Sequence, residues 1–261
     1  MKTLRIGVDG TGNPRLESLP LPFLSPGPTA TSIDKEMSPD PNSVKAVVGM
    51  RAAAHSAGWR DRVTAGRQLF LMISGSLRIA VPQMQARIGP GDVLFLDLAD
   101  GGTSGAQLIA ETNVQLVEIT VEDSWSRGGQ VPPALEEARR SVRTSPRLRH
   151  LASRDGLAHL SELAGFFDQA ATQTVNALSF VSLSPGMTSD WHTEAGVSLL
   201  VVLSGGFVVE VGGEGGRETL RAGDVCLVED FDGQGHKSAS DGETRFAVLS
   251  LPSDHQYGVR T

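Results

Sequence analysis

The sequence contains little cysteine and few aromatic residues. Cys226 is the single cysteine among 261 residues, so no disulfide can form within the chain, and a reducing compartment is favoured. Aromatic residues make up only 5% of the chain, but the total hydrophobic content of 39% is enough for ordinary cores. Cys226 itself follows Val225 in an apolar stretch, which predicts a buried packing residue.

Long apolar runs and a basic excess are also absent. No run approaches 18 apolar residues, so no transmembrane helix is predicted. Lys and Arg number 23 against 30 Asp and Glu, and the net charge of −7 argues against nucleic acid or an anionic membrane surface as a partner. Residues 1–7 are too short and too polar for the core of a signal peptide, so the cytoplasm is the expected location.

The second half of the chain repeats the first. The segments 66–75 and 91–97 recur as 196–205 and 223–229, with the Ser-Gly pair repeated after 130 residues and the Gly-Asp pair after 132. Solenoid repeats have periods of about 20–50 residues, so this spacing indicates a duplicated domain. The length also suits two domains of about 100–150 residues each.

The 30 Gly and 14 Pro predict short strands broken by turns. The strands are expected at 44–51, 68–73, 77–81, 93–97, 107–110, 114–121, 176–184, 198–203, 206–211, 225–229 and 245–251. A helix is predicted at 132–140, because its prolines stand in the first turn and its arginines near the end. Residues 1–45 are the least globular, although the alternation of Leu19, Leu21 and Phe23 is typical of an edge strand.

Short motifs stand around the turns of each copy, and the two copies preserve different parts of one pattern. In the second copy they are Trp191-His192-Thr193-Glu194, Gly205, Gly223-Asp224 and Gly233-Gln234-Gly235-His236, and in the first Arg67-Gln68, Ser74-Gly75 and Pro90-Gly91-Asp92. This pattern resembles the cupin superfamily, and the second copy looks especially like small bacterial cupins that read roughly Trp-His-x-Ala-Pro-Arg-Arg-Gln. The resemblance covers nearly the whole chain as a bicupin.

The resemblance implies an all-β fold of two tandem double-stranded β-helix (jelly-roll) barrels with a short connecting helix. The expected domains are an N-terminal degenerate barrel with an N-terminal arm at 1–127, a helical connector at 128–148, and a C-terminal barrel at 149–261 that carries the site. In metal-binding cupins, imidazoles and a carboxylate or amide project into the barrel and meet one divalent ion.

The first copy lacks most of these ligands. Arg62 stands where the group has its first His, Ser104 stands at the closing-His position counted from Gly91, and only Gln68 remains of the set. His55 is out of register with the motif. We therefore expect no metal in the N-terminal barrel, which would be structural or dimerising, with an anion pocket at Arg62 and Arg67 as a second interpretation.

The second copy retains His192 and His236 at ligand positions, with Glu194 at the second place of the His-x-His pattern. Strand alternation puts Glu194 on the same face as His192. The resemblance thus implies a site for Fe, Mn, Ni or Zn in this barrel, although Ser198 replaces the group's Gln. A metal-free pair of imidazoles that exchanges protons is the alternative.

Two functions are compatible with these residues. The first is an enzyme that isomerises, cyclises, cleaves or oxygenates a small organic molecule with His192, His236 and Glu194 as catalytic residues. The residues expected to line its substrate pocket are Ser198, Leu200, Val202, Phe246 and Glu229. The second is a non-catalytic binding module, a sensor or scaffold. A homodimer through the exposed sheet or the N-terminal arm is compatible with either.

The acidic residues Asp190, Glu229 and Asp230 are candidates to orient the two imidazoles. Strand parity allows only one of Glu229 and Asp230 to face the interior. The sequence leaves that choice open.

Overall fold

The computed structural model describes residues 1–8, 13–19, 21, 23–24, 47–62, 66–98, 105–121, 145–168 and 172–255. These residues form strands and turns without a helix, and so they include no helix that is long and apolar enough to cross a membrane. The predicted helix at 132–140 lies outside the described residues. In chain order the strands are β1 (Thr3–Val8), β2 (Pro14–Ser18), β3 (Phe23–Leu24), β4 (Val47–His55), β5 (Arg60–Arg62), β6 (Gly66–Ser74), β7 (Leu77–Val81), β8 (Met84–Ile88), β9 (Val93–Leu98), β10 (Gln107–Ala110), β11 (Val114–Val121), β12 (Leu148–Arg154), β13 (Leu157–Glu162), β14 (Ala177–Leu183), β15 (Ser198–Ser204), β16 (Gly206–Val211), β17 (Arg217–Arg221), β18 (Val225–Glu229), β19 (His236–Ser240) and β20 (Thr244–Ser250).

Two units divide these strands. The first contains β1, β2 and β4–β11, and the second contains β3 and β12–β20. In the first unit a six-stranded sheet has the order β2-β1-β9-β6-β11-β4, and a four-stranded sheet has the order β5-β10-β7-β8. In the second unit the sheets are β13-β12-β18-β15-β20-β14-β3 and β17-β16-β19.

The strand orders of the two units correspond position by position. Strands β1, β9, β6 and β11 of the first large sheet take the places of β12, β18, β15 and β20 in the second. In both units the first of these strands is parallel to the second, whereas the others are antiparallel. The prediction of an all-β, jelly-roll fold is thus confirmed, and the repeat in the sequence is a repeat in topology.

The Gly-Asp motif joins β1 to β9 in the first unit and β12 to β18 in the second. Asp224 is almost fully buried, and its two carboxylate oxygens accept the backbone N–H groups of Arg147 and Arg221, each at 2.7 Å. Asp92 does the same in the first unit with Lys2 and Gly89. Because Arg147 and Lys2 directly precede β12 and β1, the motif fixes the start of the parallel pairing. Its role is structural.

Replacing Asp224 by Asn is therefore expected to destabilise the second unit. The amide retains one acceptor oxygen, so the fold loses about one hydrogen bond to a charged group, worth about 1.5 kcal/mol. Urea denaturation measures the free energy of unfolding. Asp241→Asn is the matched control, since Asp241 is exposed and pairs with Arg221 at the surface, where such pairs contribute little. Equal destabilisation by the two variants would contradict this role.

Candidate metal centre

His192 and His236 meet through a short backbone bridge. The N–H of His192 donates to the carbonyl of His236 at 3.0 Å, and the N–H of His236 donates to the carbonyl of His192 at 2.8 Å. This pairing brings the two rings to a centroid separation of 4.3 Å, with the planes tilted by 50°. Two imidazoles from separate stretches of the second unit therefore converge, as the sequence predicts.

Gly235 makes this close approach feasible. Its φ is +70°, and a Cβ added at this position would lie 1.8 Å from the carbonyl oxygen of His192. Any larger residue would have to push the His192 segment away from the start of β19. The glycine before His236 is thus required by the contact between the two histidine segments.

Glu194 completes a set of three ligand groups. Its backbone N–H donates to the carbonyl of Asp230 at 3.0 Å, which holds the segment after His192 against the end of β18. One ligand atom from each of His192, Glu194 and His236 lies within 4.8 Å of the other two. Ligands bound about 2.0–2.2 Å from one ion have comparable separations. The side chains are therefore placed to share a divalent cation.

Both imidazoles hydrogen-bond through the same ring nitrogen, Nδ1. His236 Nδ1 lies 2.7 Å from Asp230 Oδ2, and His192 Nδ1 lies 2.9 Å from the backbone carbonyl of Asp190. An ionised carboxylate and a carbonyl only accept hydrogen bonds, so each Nδ1 carries a proton and each Nε2 carries the lone pair. Metal-binding histidines are oriented in this way.

Asp230 adds negative charge beside His236. Its side chain is fully buried, and its Oδ1 has no hydrogen-bond partner among the described residues. A buried carboxylate in this state is costly unless a positive charge compensates it. A divalent cation near His236 would provide that charge, so the residues fit a metal ion.

A small cavity adjoins these three side chains. It has room for about one or two water molecules. Apart from the three ligand groups, it has two hydroxyls and otherwise apolar or thiol side chains. Its lining consists of Leu151, His192, Glu194, Ser198, Leu200, Phe207, Val209, Cys226, Val228, His236 and Ser238.

Cys226 is buried, as the sequence predicts. Burial raises the pKa of its thiol far above the usual range, and the Asp230 carboxylate adds to that shift. A protonated thiol is a poor nucleophile, and Cys226 is not one of the three converging ligand groups.

The residues expected to line a substrate pocket fall into two groups. Ser198 and Leu200 line the cavity, whereas Val202 and Phe246 are fully buried in the hydrophobic core of the unit. Glu229 lies elsewhere: its carboxylate is 2.5 Å from His150 Nε2 and 3.4 Å from His255 Nε2. Of the two adjacent acids it is Asp230 that contacts an imidazole of the site.

Ser238 lines the cavity, although no motif in the sequence indicates it. It lies two residues after His236 on β19, and the alternation of buried and half-buried residues along that strand places both on the interior face. The lining residues Phe207 and Val209 were also not singled out, because they do not differ in sequence from other apolar strand residues.

The positions of the first unit that correspond to His236, Ser238 and Asp230 are apolar. Counting from Gly91 points to Ser104, which lies outside the described residues, as the equivalent of His236. The strand pairing instead aligns Ala110 with Ser240, which puts Ala106 in the place of His236 and Leu108 in the place of Ser238. Leu98 takes the place of Asp230 in the Gly-Asp alignment, and all three are buried in the core.

In the first unit Arg67 and His55 contact neighbouring side chains, and Gln68 is exposed. Arg67 Nε is 2.8 Å from Asp97 Oδ1, Gln68 is exposed, and the ring of His55 stacks on Trp59 at 3.9 Å. Arg62 ends β5. Arg67 is thus engaged by a carboxylate on the neighbouring strand.

No family model matches the sequence, and no curated protein matches it. Solved structures with a similar fold include a cupin 2 conserved barrel domain protein from Leptotrichia buccalis, at 15% identity, 82% coverage of this chain, 92% of that chain and a TM-score of 0.38. A protein of the DUF861 family from Pseudomonas syringae is similar at 13% identity, 96% and 100% coverage and a TM-score of 0.39. The bacterial pirin YhhW from Escherichia coli, solved in complex with nickel(II), follows at 15% identity, 82% and 86% coverage and a TM-score of 0.32.

Proposed function

We propose that His192, Glu194 and His236 bind one divalent transition metal in the second unit, and that the adjoining cavity binds and converts a small organic molecule. The observation that carries this proposal is the convergence of two imidazoles and a carboxylate within 4.8 Å, with each Nδ1 hydrogen-bonded to an oxygen acceptor. Three protein ligands leave positions open for water or substrate, as in catalytic rather than structural sites.

The donor set suits Fe(II), Mn(II), Ni(II) or Zn(II), all of which accept imidazole nitrogen and carboxylate oxygen. Such an ion, when bound, supplies Lewis acidity toward a carbonyl or hydroxyl oxygen. Isomerisation, cyclisation and elimination are the reaction classes that can begin from that polarisation. A redox-active ion such as Fe(II) would in addition permit oxygenation, with O₂ as the oxidant.

The protein's own residues would prepare this chemistry. Asp230 keeps the proton of His236 on Nδ1, and the Asp190 carbonyl does the same for His192. The apolar side chains of Leu151, Leu200 and Val228 limit the water that can enter the cavity, which strengthens the electrostatic interactions inside it. In the first unit, apolar residues take the places of His236, Ser238 and Asp230. This supports the proposal that the first barrel keeps the fold without the site.

Metal analysis of the purified chain tests the proposal. We expect about one transition-metal ion per chain after incubation with Fe²⁺, Mn²⁺, Ni²⁺ or Zn²⁺ and removal of excess ion, since the structure offers one set of three converging ligands among its described residues. Elemental analysis by mass spectrometry measures the ratio. A folded protein that takes up none of these ions would contradict the proposal and favour a metal-free binding module.

A further inference from the structure

Ser238 occupies a fixed position beside the candidate metal centre. Its backbone N–H donates to Ser189 Oγ at 2.7 Å, and its carbonyl accepts the N–H of Ser189 at 2.8 Å. The residue is 4% exposed and lines the cavity. Two residues of an extended strand span about 6.6 Å, so Ser238 lies one side-chain step from His236 along β19.

The hydroxyl of Ser238 forms no hydrogen bond to any residue in the described ranges. Ser240, the next residue on the same face, contrasts with it: its hydroxyl donates to the Ser184 carbonyl at 2.5 Å and accepts the N–H of Met187 at 2.9 Å. A hydroxyl that lines a cavity and has no protein partner is available to hydrogen-bond a molecule held there. Ser198, which is half-buried, is a second lining hydroxyl without a hydrogen bond to the described residues.

The cavity lining contains no lysine or arginine. Lys237, the basic residue next to His236, extends over the ring of Trp191, with Nζ 5.4 Å from the ring centroid. Arg149, on β12 beside Cys226, is bonded through its guanidinium to Glu218. A dianion in the cavity would therefore meet no positive side chain, and the two positive charges of a bound metal ion would already be balanced by Glu194 and Asp230.

From these observations we infer that the cavity binds a small oxygenated organic molecule with at most one negative charge, and that the Ser238 hydroxyl hydrogen-bonds an oxygen of that molecule. The inference rests on the proposed function, since the same molecule must reach His192, Glu194 and His236. The small cavity admits only the part of the ligand that reaches the metal ligands, and the apolar lining suits a methyl or methylene group there. Ser238 would thus contact the substrate and favour molecules that carry an oxygen atom at a fixed distance from the atom bound at the metal ligands.

Binding of two small chelators to the Co²⁺-loaded full chain tests the inference. Acetohydroxamate carries one negative charge and oxalate carries two. We expect acetohydroxamate to bind more tightly, and Ser238→Ala to weaken its binding about threefold to tenfold, the value of one net hydrogen bond. The visible absorption of Co²⁺ and titration calorimetry both measure the dissociation constants.

Ser182→Ala is the matched control. Ser182 is a half-buried serine on β14 that does not line the cavity, so its variant should bind both chelators as the unmodified protein does. If Co²⁺ binds but oxalate is preferred, or Ser238→Ala and Ser182→Ala give the same affinity, the inference is overturned while the metal centre stands. If no Co²⁺ binds, the proposed function fails and the inference fails with it.

Discussion

A His192→Ala/His236→Ala double variant is expected to lose the bound metal completely. The two substitutions remove two of the three converging ligands. The half-buried carboxylate of Glu194 alone would bind a transition metal only weakly. Elemental analysis should fall from about one ion per chain to background. The single His192→Ala variant should show a large loss of affinity too, and it spares the buried contact between His236 and Asp230.

The single His192→Ala variant is informative because it keeps His236. Removing His236 leaves the buried Asp230 carboxylate without its hydrogen-bond partner. Leaving a buried charged acceptor without its hydrogen-bond partner costs about 3 kcal/mol or more, so the double variant is expected to unfold more readily. Near-UV circular dichroism and the urea midpoint establish whether the variants are folded when the metal is measured. Loss of metal in folded His192→Ala protein supports the site independently of that destabilisation.

His150→Ala/His255→Ala is the matched control for the double variant. It also removes two imidazoles from the second unit, but these contact Glu229 and do not line the cavity. We expect it to retain about one ion per chain. A control that loses metal as fully as the His192/His236 variant, or a folded double variant that keeps its metal, would refute the assignment of the ligands.

The sequence predicts the fold well where strands bury apolar residues on both faces. The eleven strands expected from the sequence are all present, with ends that differ by no more than four residues. Strand β18 is an example, since Val225–Val228 are all buried and flanked by turns. Strand β19, with the sequence HKSAS, was missed because its interior face carries His236, Ser238 and Ser240 instead of apolar residues. The polar face that hid this strand belongs to the cavity.

The site was predictable as a pair of histidines but not in its surroundings. The motif positions identify His192 and His236, whereas the choice between Glu229 and Asp230 depends on which face of β18 points inward. Because both faces of β18 are buried, alternation of apolar residues gives no answer. The structure resolves it, since Cys226 and Val228 line the cavity and Asp230 continues their parity.

The start of the chain differs from the expectation of a peripheral arm. Residues 3–8 form β1, which pairs in parallel with β9 inside the large sheet, and Leu4 and Ile6 are buried. Its counterpart β12 was missed as well. Both strands mix charged and apolar residues, because one face packs on the core while the other carries ion pairs such as Arg5 with Asp97.

Asp230→Asn is expected to weaken metal binding by about tenfold to a hundredfold. The carboxylate holds the Nδ1 proton of His236 and increases the electron density at Nε2, and an amide oxygen accepts the same hydrogen bond without the negative charge. Competition with a chelating dye measures the dissociation constant of Zn²⁺ or Co²⁺. The variant should keep its fold, because the amide replaces the carboxylate with nearly the same shape.

Glu229→Gln separates the hydrogen bond from the general effect of charge. It removes the same unit of negative charge one residue away, but its side chain contacts His150 and His255 instead of His236. If Asp230 acts by orienting and polarising His236, Glu229→Gln should change the metal affinity by less than about twofold, since no contact with a ligand is lost. Equal losses in the two variants would show that only the summed negative charge near the barrel attracts the ion, and the specific role of Asp230 would have to be abandoned.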